Sequence, residues 1–308
     1  MPESLLKALK GRVLLSDGAM GTQLQDAGLE AGGCGEAWNV SSPDKVKKIQ
    51  GRYAEAGSDC LITNTFGGSR ITLARHELED HAEAFNEAGA RVARDVMGPD
   101  RWVIGDIGPF GGILAPLGEH EPDDVAAAFL EQARALIRGG ADALIIETQT
   151  ALEELELGVR AAHQAIDEAG KSGEIAVIGS LAYDKTKSGP PKTMMGIDPS
   201  TAAEKMLTLG VDIIACNCGT KLGITEYVEI VKLYRAAAPD TPVMAQPNAG
   251  LPEIRGDEIV YLETPEMMAK GVAALVEAGA NIVGGCCGTT PAHIRLFRAE
   301  LDKINSAR

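Results

Sequence analysis

The 308-residue chain contains no apolar run that approaches the roughly 18 residues needed to cross a bilayer. Residues Met1 to Arg12 also lack the apolar core of a signal peptide. Positive charge is scarce, because 29 Lys and Arg stand against 44 acidic residues and the formal net charge at pH 7 is −15. A field of this sign repels phosphate backbones and anionic membrane surfaces. We therefore predict a cytoplasmic protein whose partners include neither nucleic acid nor membrane.

Aromatic residues make up only 4% of the chain, and no GxGxxG motif opens a helix after the first apolar segment. The alternative fold is a doubly wound open sheet, and the missing motif argues against a dinucleotide-binding version of it. Six cysteines are present. Because thiols stay reduced in the cytosol, a disulfide framework is not expected, and these cysteines are interpreted as core residues, metal ligands or nucleophiles.

Short, continuously apolar segments alternate eight times with longer amphipathic stretches, and such segments suit strands buried on both faces of a parallel sheet. The predicted strands are Val13–Ser16, Cys60–Thr65, Trp102–Ile107, Ala143–Thr148, Ile175–Ala182, Ile213–Asn217, Val243–Gln246 and Ile282–Gly285. The predicted helices are Asp44–Ala56, Ala82–Val96, Pro122–Arg138, Leu152–Glu168, Ser200–Leu209, Ile224–Ala237, Pro265–Ala278 and Pro291–Ile304. Eight strand–helix units predict an α/β protein with a single-domain (β/α)₈ TIM barrel.

Every predicted strand ends in a polar or metal-binding group, and in such barrels the carboxyl ends of the strands form the active-site rim. A single Asp or Thr at a strand end is usually a helix cap or turn former, and we expect Asp184 and Thr148 to be of that kind. Asp17 and Glu147 could instead hold an ammonium group. Free backbone amides in Gly18–Thr22, at a predicted helix start, could hold a carboxylate. These groups fit an amino-acid substrate.

Three thiols are expected at this rim. Cys286 and Cys287 are adjacent and flanked by glycines, and Cys218 ends a strand two units earlier in the barrel. Three thiolates with one open position are typical of a catalytic rather than a structural zinc site. Cys216 is a rival ligand, because in a regular strand it would point to the same face as Cys218. The other interpretations are ordinary buried cysteines and a reversible Cys286–Cys287 disulfide.

A zinc site of this kind suits the alkylation of a thiol. A free thiol has a pKa near 8.5 and is mostly protonated at neutral pH, whereas a thiol bound to zinc is deprotonated. With three thiolate ligands the centre is already negative, so a substrate thiolate in the fourth position should keep much of its nucleophilicity. Cys34 and Cys60 are expected to be non-ligands.

The ordered motifs resemble those of the homocysteine S-methyltransferase family from about Leu14 to Phe297. They are Asp17–Thr22, Thr63–Gly67, Gly105–Pro109, Glu147–Thr148, Asn217–Cys218, Gln246–Gly250 and Gly284–Pro291. The resemblance implies a (β/α)₈ barrel with Zn²⁺ held by three cysteines. The family's Asn-Cys pair falls on Asn217-Cys218, which favours Cys218 over Cys216, and its paired cysteines fall on Cys286 and Cys287.

The resemblance also implies a substrate and its contacts. We expect residues 1–308 to form one homocysteine-binding barrel domain. The predicted substrate-binding residues are Asp17, Gly18, Thr22, Asn64, Glu147 and Asn248, of which Asp17 and Glu147 match the acidic residues that bind the amino acid. Two departures from the family pattern are the added thiol of Cys216 and the apolar residues in Met194–Pro199.

The sequence thus predicts a methyltransferase that carries a methyl group to the thiol of homocysteine and gives methionine. The donor could be a methyl-corrinoid protein acting in trans, betaine, S-methylmethionine or S-adenosylmethionine, and we rank the corrinoid route first. One alternative is a homocysteine- and zinc-binding subunit that is inactive without a separate corrinoid or folate protein. The other is a thiol redox protein that uses Cys286 and Cys287.

Overall fold

The computed structural model describes residues 3–255 and 258–307. Eight parallel strands form one sheet, and they coincide with the eight apolar segments of the sequence. The strands of this sheet are β1 (Leu14–Leu15), β2 (Cys60–Ile62), β3 (Trp102–Ile107), β4 (Ala143–Gln149), β5 (Ala176–Leu181), β6 (Ile213–Asn217), β7 (Val243–Gln246) and β10 (Ile282–Val283). Two further strands, β8 (Pro252–Arg255) and β9 (Glu258–Tyr261), form a separate antiparallel hairpin. The predicted (β/α)₈ TIM barrel is confirmed.

The sheet runs in the order β1-β10-β7-β6-β5-β4-β3-β2, so β1 and β2 are its two ends. A backbone hydrogen bond of 2.7 Å from the Asp59 amide to the Leu15 carbonyl joins these ends. Higher on the same seam, the Asp17 carboxylate accepts a hydrogen bond of 3.0 Å from the Ile62 amide. A backbone bond and a side chain together therefore close the barrel where β1 and β2 meet.

Helices alternate with the strands around the barrel, and five of them begin with proline at the first turn, where the missing N–H costs nothing. The helices that follow barrel strands are α4 (Pro43–Glu55), α6 (Ala82–Met97), α7 (Pro122–Gly139), α8 (Leu152–Glu168), α9 (Pro199–Thr208), α10 (Ile224–Ala237), α11 (Pro265–Ala278) and α12 (Pro291–Ser306). Shorter helices are α1 (Leu5–Ala8), α2 (Gly21–Asp26), α3 (Trp38–Ser41) and α5 (Arg70–Leu73). In the described part of the chain, none of the helices is long and apolar enough to cross a membrane.

Two apolar cores follow from the alternation of side chains along the strands. The larger core lies between the strands and the helices. The smaller one fills the inside of the barrel, and α1 packs Leu5, Ala8 and Leu9 against it. Its strand residues include Trp102 and Cys60, which begin their strands, so α1 closes the amino-terminal end of the barrel.

The carboxyl end of the barrel interior is polar instead. Ile104, Ile145 and Ala215 belong to the interior core, and two residues further along each strand the same face carries a polar side chain. We call this set the polar layer; its members are Asp106, Glu147, Ser180, Asn217 and Gln246, and all five are buried. The change from apolar to polar within one face places the chemistry of the protein at this end.

Candidate metal centre and acidic pocket

Cys218, Cys286 and Cys287 converge at the carboxyl end of the barrel, each half-buried and free of disulfides. The Cys287 sulfur lies 4.0 Å from the sulfurs of both Cys218 and Cys286, and all three lie within 4.8 Å of one another. A tetrahedral zinc ion with Zn–S bonds of about 2.3 Å would hold its sulfurs about 3.8 Å apart. The predicted three-thiol cluster is therefore present, and its spacing fits zinc.

Cys218 reaches this cluster because the strand before it stops. β6 ends at Asn217, and Cys218 has a φ of +53°, a left-handed conformation that breaks the alternation of the strand. The Tyr227 hydroxyl donates to the Cys218 carbonyl, and the Asn248 amide nitrogen donates to the Gly219 carbonyl at 3.0 Å. These contacts fix the turn that points Cys218 inward.

Cys216 lies on the other side of the strand. Its side chain is fully buried in the core between strands and helices, with its sulfur 3.9 Å from the Met244 carbonyl oxygen. Burial alone raises the pKa of its thiol. The regular alternation that made Cys216 a rival ligand holds up to Asn217 and fails at Cys218, so the structure separates the two thiols.

The Cys286-Cys287 pair lies on a loop that is attached to two neighbouring strands. The Gly285 amide donates to the Asp17 carbonyl, and the Cys286 amide donates to the Pro247 carbonyl, both at 2.9 Å. The pair ends at Gly288, whose φ is +78° and which faces the ring of Tyr261, so a larger residue would not fit there. The two sulfurs lie about twice as far apart as in a disulfide, which needs roughly 2.05 Å.

The three thiols share negative charge. Hydrogen bonds from Cys286 and Cys287 lower the pKa of Cys218 to about 3. The hydrogen bond with Cys218 is the main cause that raises the pKa of Cys287 to about 12. The hydrogen bond between Cys286 and Cys218 is likewise the main cause that raises the pKa of Cys286. One sulfur is thus a thiolate stabilised by two thiols, and a divalent cation at the centre would favour loss of the remaining protons.

Three buried carboxyl groups lie near one another, and Glu147 among them is close to the thiols. Burial raises the pKa of Asp17 to about 7, partly offset by the hydrogen bond from the Ile62 amide. Burial, and after it the charges of Cys218 and Asp17, raise the pKa of Glu147 to about 8. Asp106 is raised well above its ordinary value by burial and then by Glu147. Among the described residues, none of these three carboxyls has a Lys or Arg partner.

The remaining predicted substrate residues make different contacts in the structure. Gly18 packs against Tyr53 and Thr289. Thr22 lies in the first turn of the short helix α2, and its buried hydroxyl has no hydrogen-bond partner among the described residues. Asn64 donates to the Gly35 carbonyl at 2.8 Å and so holds the preceding loop. Of the amides expected to bind a carboxylate, that of Ala19 donates to the Thr289 hydroxyl at 3.1 Å.

Asn248 adjoins the thiols. Its amide nitrogen bonds to the Gly219 carbonyl, whereas its buried oxygen has no hydrogen-bond partner in the described part of the chain. The same is true of one oxygen of Asp106, which points to the interior of the barrel. Orphaned acceptors of this kind are rare in folded proteins and indicate room for a donor from a ligand or water.

Sequence analysis missed the roles of four residues in this region. Asp106 could have been found by counting two residues on from Ile104 along the inward face. Thr148 does not cap a helix, because its backbone amide and its hydroxyl both bond to the Asn217 side chain. Asp184 connects two loops, since its carboxylate accepts a hydrogen bond of 2.8 Å from the Thr220 amide. Tyr261 lies on the β8–β9 hairpin, for which the sequence carries no strong signal.

Comparison with known proteins agrees with this geometry. The homocysteine S-methyltransferase family model matches residues 14–301. The methionine synthase of Mycobacterium leprae is 37% identical over 316 residues, covering 98% of this chain, and that of Mycobacterium tuberculosis is 37% identical over 97% of this chain. The chain spans about a quarter, 25%, of the length of these two relatives.

A solved structure shares the fold. The homocysteine methyltransferase MmuM from Escherichia coli, in its metallated form, superposes with a TM-score of 0.74 at 21% identity. The match covers 96% of this chain and 99% of that one. Because the family model spans nearly all of the chain, this protein belongs to the homocysteine S-methyltransferase family.

Proposed function

We propose that the protein transfers a methyl group to the thiol of homocysteine and forms methionine, with Zn²⁺ held by Cys218, Cys286 and Cys287. The observation that carries the proposal is the convergence of three sulfurs within 4.8 Å at the carboxyl end of the barrel, beside a buried acidic pocket. Bound zinc would supply a lowered thiol pKa, so that the substrate sulfur reacts as a thiolate at neutral pH. No side-chain base is then needed at that sulfur.

The acidic pocket would orient the amino-acid end of the substrate. Asp17 and Glu147 are buried and lack a cationic partner among the described residues, so an ammonium group would relieve their mutual repulsion. Asn248 and Thr22 each present a buried oxygen without a hydrogen-bond partner among the described residues, and Gly18 directly follows Asp17 in the chain. We propose that these residues and Asn64 line the substrate pocket.

The methyl donor would arrive at a rim that suits a macromolecule. Among the described residues, seven large apolar side chains are exposed on the loops that follow the strands, from 41% for Leu262 to 86% for Leu117. They are Phe66, Ile113, Leu117, Met194, Met195, Leu251 and Leu262. Exposed apolar surface around a site is typical of a protein interface. It supports a corrinoid protein that delivers the methyl group in trans.

A second candidate is a homocysteine- and zinc-binding subunit that has no turnover by itself. The exposed apolar side chains at the rim also fit this candidate, because such a subunit would need a separate protein to bring the methyl group. In either case we propose that residues 1–308 form one domain and that the protein works in the cytoplasm, where the thiols stay reduced.

A donor screen tests the proposal. Zinc-loaded protein and homocysteine are incubated with betaine, S-methylmethionine, S-adenosylmethionine, free methylcobalamin or a methyl-corrinoid protein, and methionine is measured. We expect methionine with the corrinoid donors, and its loss in Cys287→Ala but not in the matched control Cys216→Ala. Binding of zinc and homocysteine without turnover from any small donor would favour the inactive-subunit alternative, and failure to bind homocysteine would refute both.

A further inference from the structure

Asn217 contacts the metal centre without being one of its thiols. It is the last residue of β6 and belongs to the polar layer, with only 1% of its surface exposed. Its amide nitrogen lies 3.8 Å from the Cys286 sulfur, within reach of an N–H···S hydrogen bond. Nothing in the reaction proposed above uses this side chain.

The orientation of the Asn217 amide is fixed by its other contacts. Its oxygen accepts from the Thr148 backbone amide at 3.2 Å and from the Ser180 hydroxyl at 2.7 Å. A backbone N–H can only donate, so the atom facing it must be the amide oxygen. The NH₂ group then lies on the opposite side, where it donates to the Thr148 hydroxyl at 2.7 Å and to Cys286.

The backbone amide and the hydroxyl of Thr148 both reach the Asn217 side chain because β4 is irregular at this position. The register of β4 against β5 shifts between Ile146 and Gln149, and Thr148 has a φ of +57°. This conformation is uncommon for a β-branched residue and persists only where its surroundings enforce it. The irregularity at Thr148 therefore fixes the Asn217 side chain so that its N–H points to the Cys286 sulfur.

We propose that Asn217 is a positioning residue that holds the Cys286 sulfur toward Cys218 and Cys287 and stabilises its thiolate form for the metal. The inference rests on the proposed zinc centre. A hydrogen bond to a charged acceptor is stronger than a neutral one, and it draws electron density away from the sulfur. Groups that hold metal ligands in this way typically contribute 10- to 100-fold to metal affinity.

Two substitutions separate this role from simple packing. Asn217→Ser removes the amide donor to sulfur, while its hydroxyl can still bond within the polar layer. Ser180→Ala removes one contact that holds the amide oxygen but leaves the N–H···S contact in place. Cys216→Ala lies on the same strand and points away from the centre, so it controls for disturbance of β6.

The experiment measures zinc affinity by chelator competition, together with the sulfur-to-metal charge-transfer band of the cobalt-loaded proteins. We expect Asn217→Ser to weaken zinc binding by about 10- to 100-fold and to move the band to longer wavelength, because the sulfur lone pair rises in energy without its hydrogen bond. Ser180→Ala and Cys216→Ala should stay close to wild type in both measurements.

Unchanged zinc affinity and an unchanged band in folded Asn217→Ser would overturn the assignment while leaving the zinc centre intact. A wild-type protein that binds no zinc would instead refute the centre itself. If Asn217→Ser does not fold, NMR of the wild-type protein loaded with an NMR-active cadmium isotope tests the inference instead. A scalar coupling between the metal and an Asn217 amide proton is expected, and its absence would overturn the inference.

Discussion

Asp17 should make the ligand-free protein less stable as the pH rises, and Asp17→Asn should remove this effect. Burial raises the pKa of Asp17 from 3.8 to about 7, so the folded protein holds a proton there that the unfolded chain has released. Stability from this group is therefore fully present below about pH 4 and is lost as the pH rises to about 7. A rise of this size corresponds to about 4 kcal/mol, since one pKa unit is worth roughly 1.36 kcal/mol.

The asparagine variant should keep the contacts at the seam. Its amide oxygen can still accept from the Ile62 amide, and its NH₂ group can donate to the Ser16 hydroxyl, which lies 3.2 Å from the carboxylate. Only the ionisation is lost. Above pH 7 the variant is then expected to be more stable than wild type by up to about 4 kcal/mol, whereas near pH 4 the two should be nearly equal.

Urea unfolding of both metal-free proteins between pH 4 and pH 8.5 measures this difference directly. Glu154, whose pKa burial raises to about 7, titrates alike in both proteins and cancels in the comparison. Asp17 raises the pKa of Glu147, so the difference between the two proteins includes this coupling. Parallel stability profiles across the whole pH range would refute the reasoning, because they would show that Asp17 titrates alike in the folded and unfolded chains.

The other predictions concern the substrate and the turn at Cys218. Glu147→Gln should weaken homocysteine binding, measured by calorimetry, about ten- to a hundredfold, because a charged contact is worth roughly 1.5–3 kcal/mol. Its zinc content should be unchanged, and an affinity equal to that of the wild type would show that Glu147 does not bind the substrate. Homocysteine binding should release at least about one proton near neutral pH, one from the substrate thiol and more where the ammonium group ionises Asp17 or Glu147. The release is seen as a dependence of the binding heat on the buffer, and no buffer dependence would argue against thiol deprotonation. Gly219→Ala should lower both zinc content and melting temperature, because φ is +94° there and a Cβ would collide with the Tyr183 carbonyl; wild-type values for both would contradict this account of the turn.

The barrel could be predicted from the sequence because its signals are local and repeated. The observed bounds of β3, β6 and β7 and of α8, α10 and α11 are those predicted. Continuous apolar segments and proline at helix starts carry this information. β1 and β10 are shorter than predicted, two residues each.

The site was less accessible to sequence reasoning because it depends on departures from regular geometry. A left-handed φ at Cys218 and another at Thr148 decide which groups face the centre, and neither is a glycine that would announce the conformation. We predicted that the backbone amides of Gly18–Thr22 bind a carboxylate because a helix was expected to start there. In the structure α2 is only six residues long, and the Ala19 amide donates to the Thr289 hydroxyl. Such details come from packing between distant segments.

Metal analysis of five purified proteins tests the central claim, that three thiols of this chain hold one zinc ion. The wild type should carry about one zinc per chain. Tight binding should be lost when any ligand is replaced and kept when the outward-facing thiol is replaced; the variants are Cys218→Ala, Cys286→Ala, Cys287→Ala and, as the matched control, Cys216→Ala. A wild-type protein without stoichiometric zinc, or full zinc in Cys218→Ala with none in Cys216→Ala, would contradict the account.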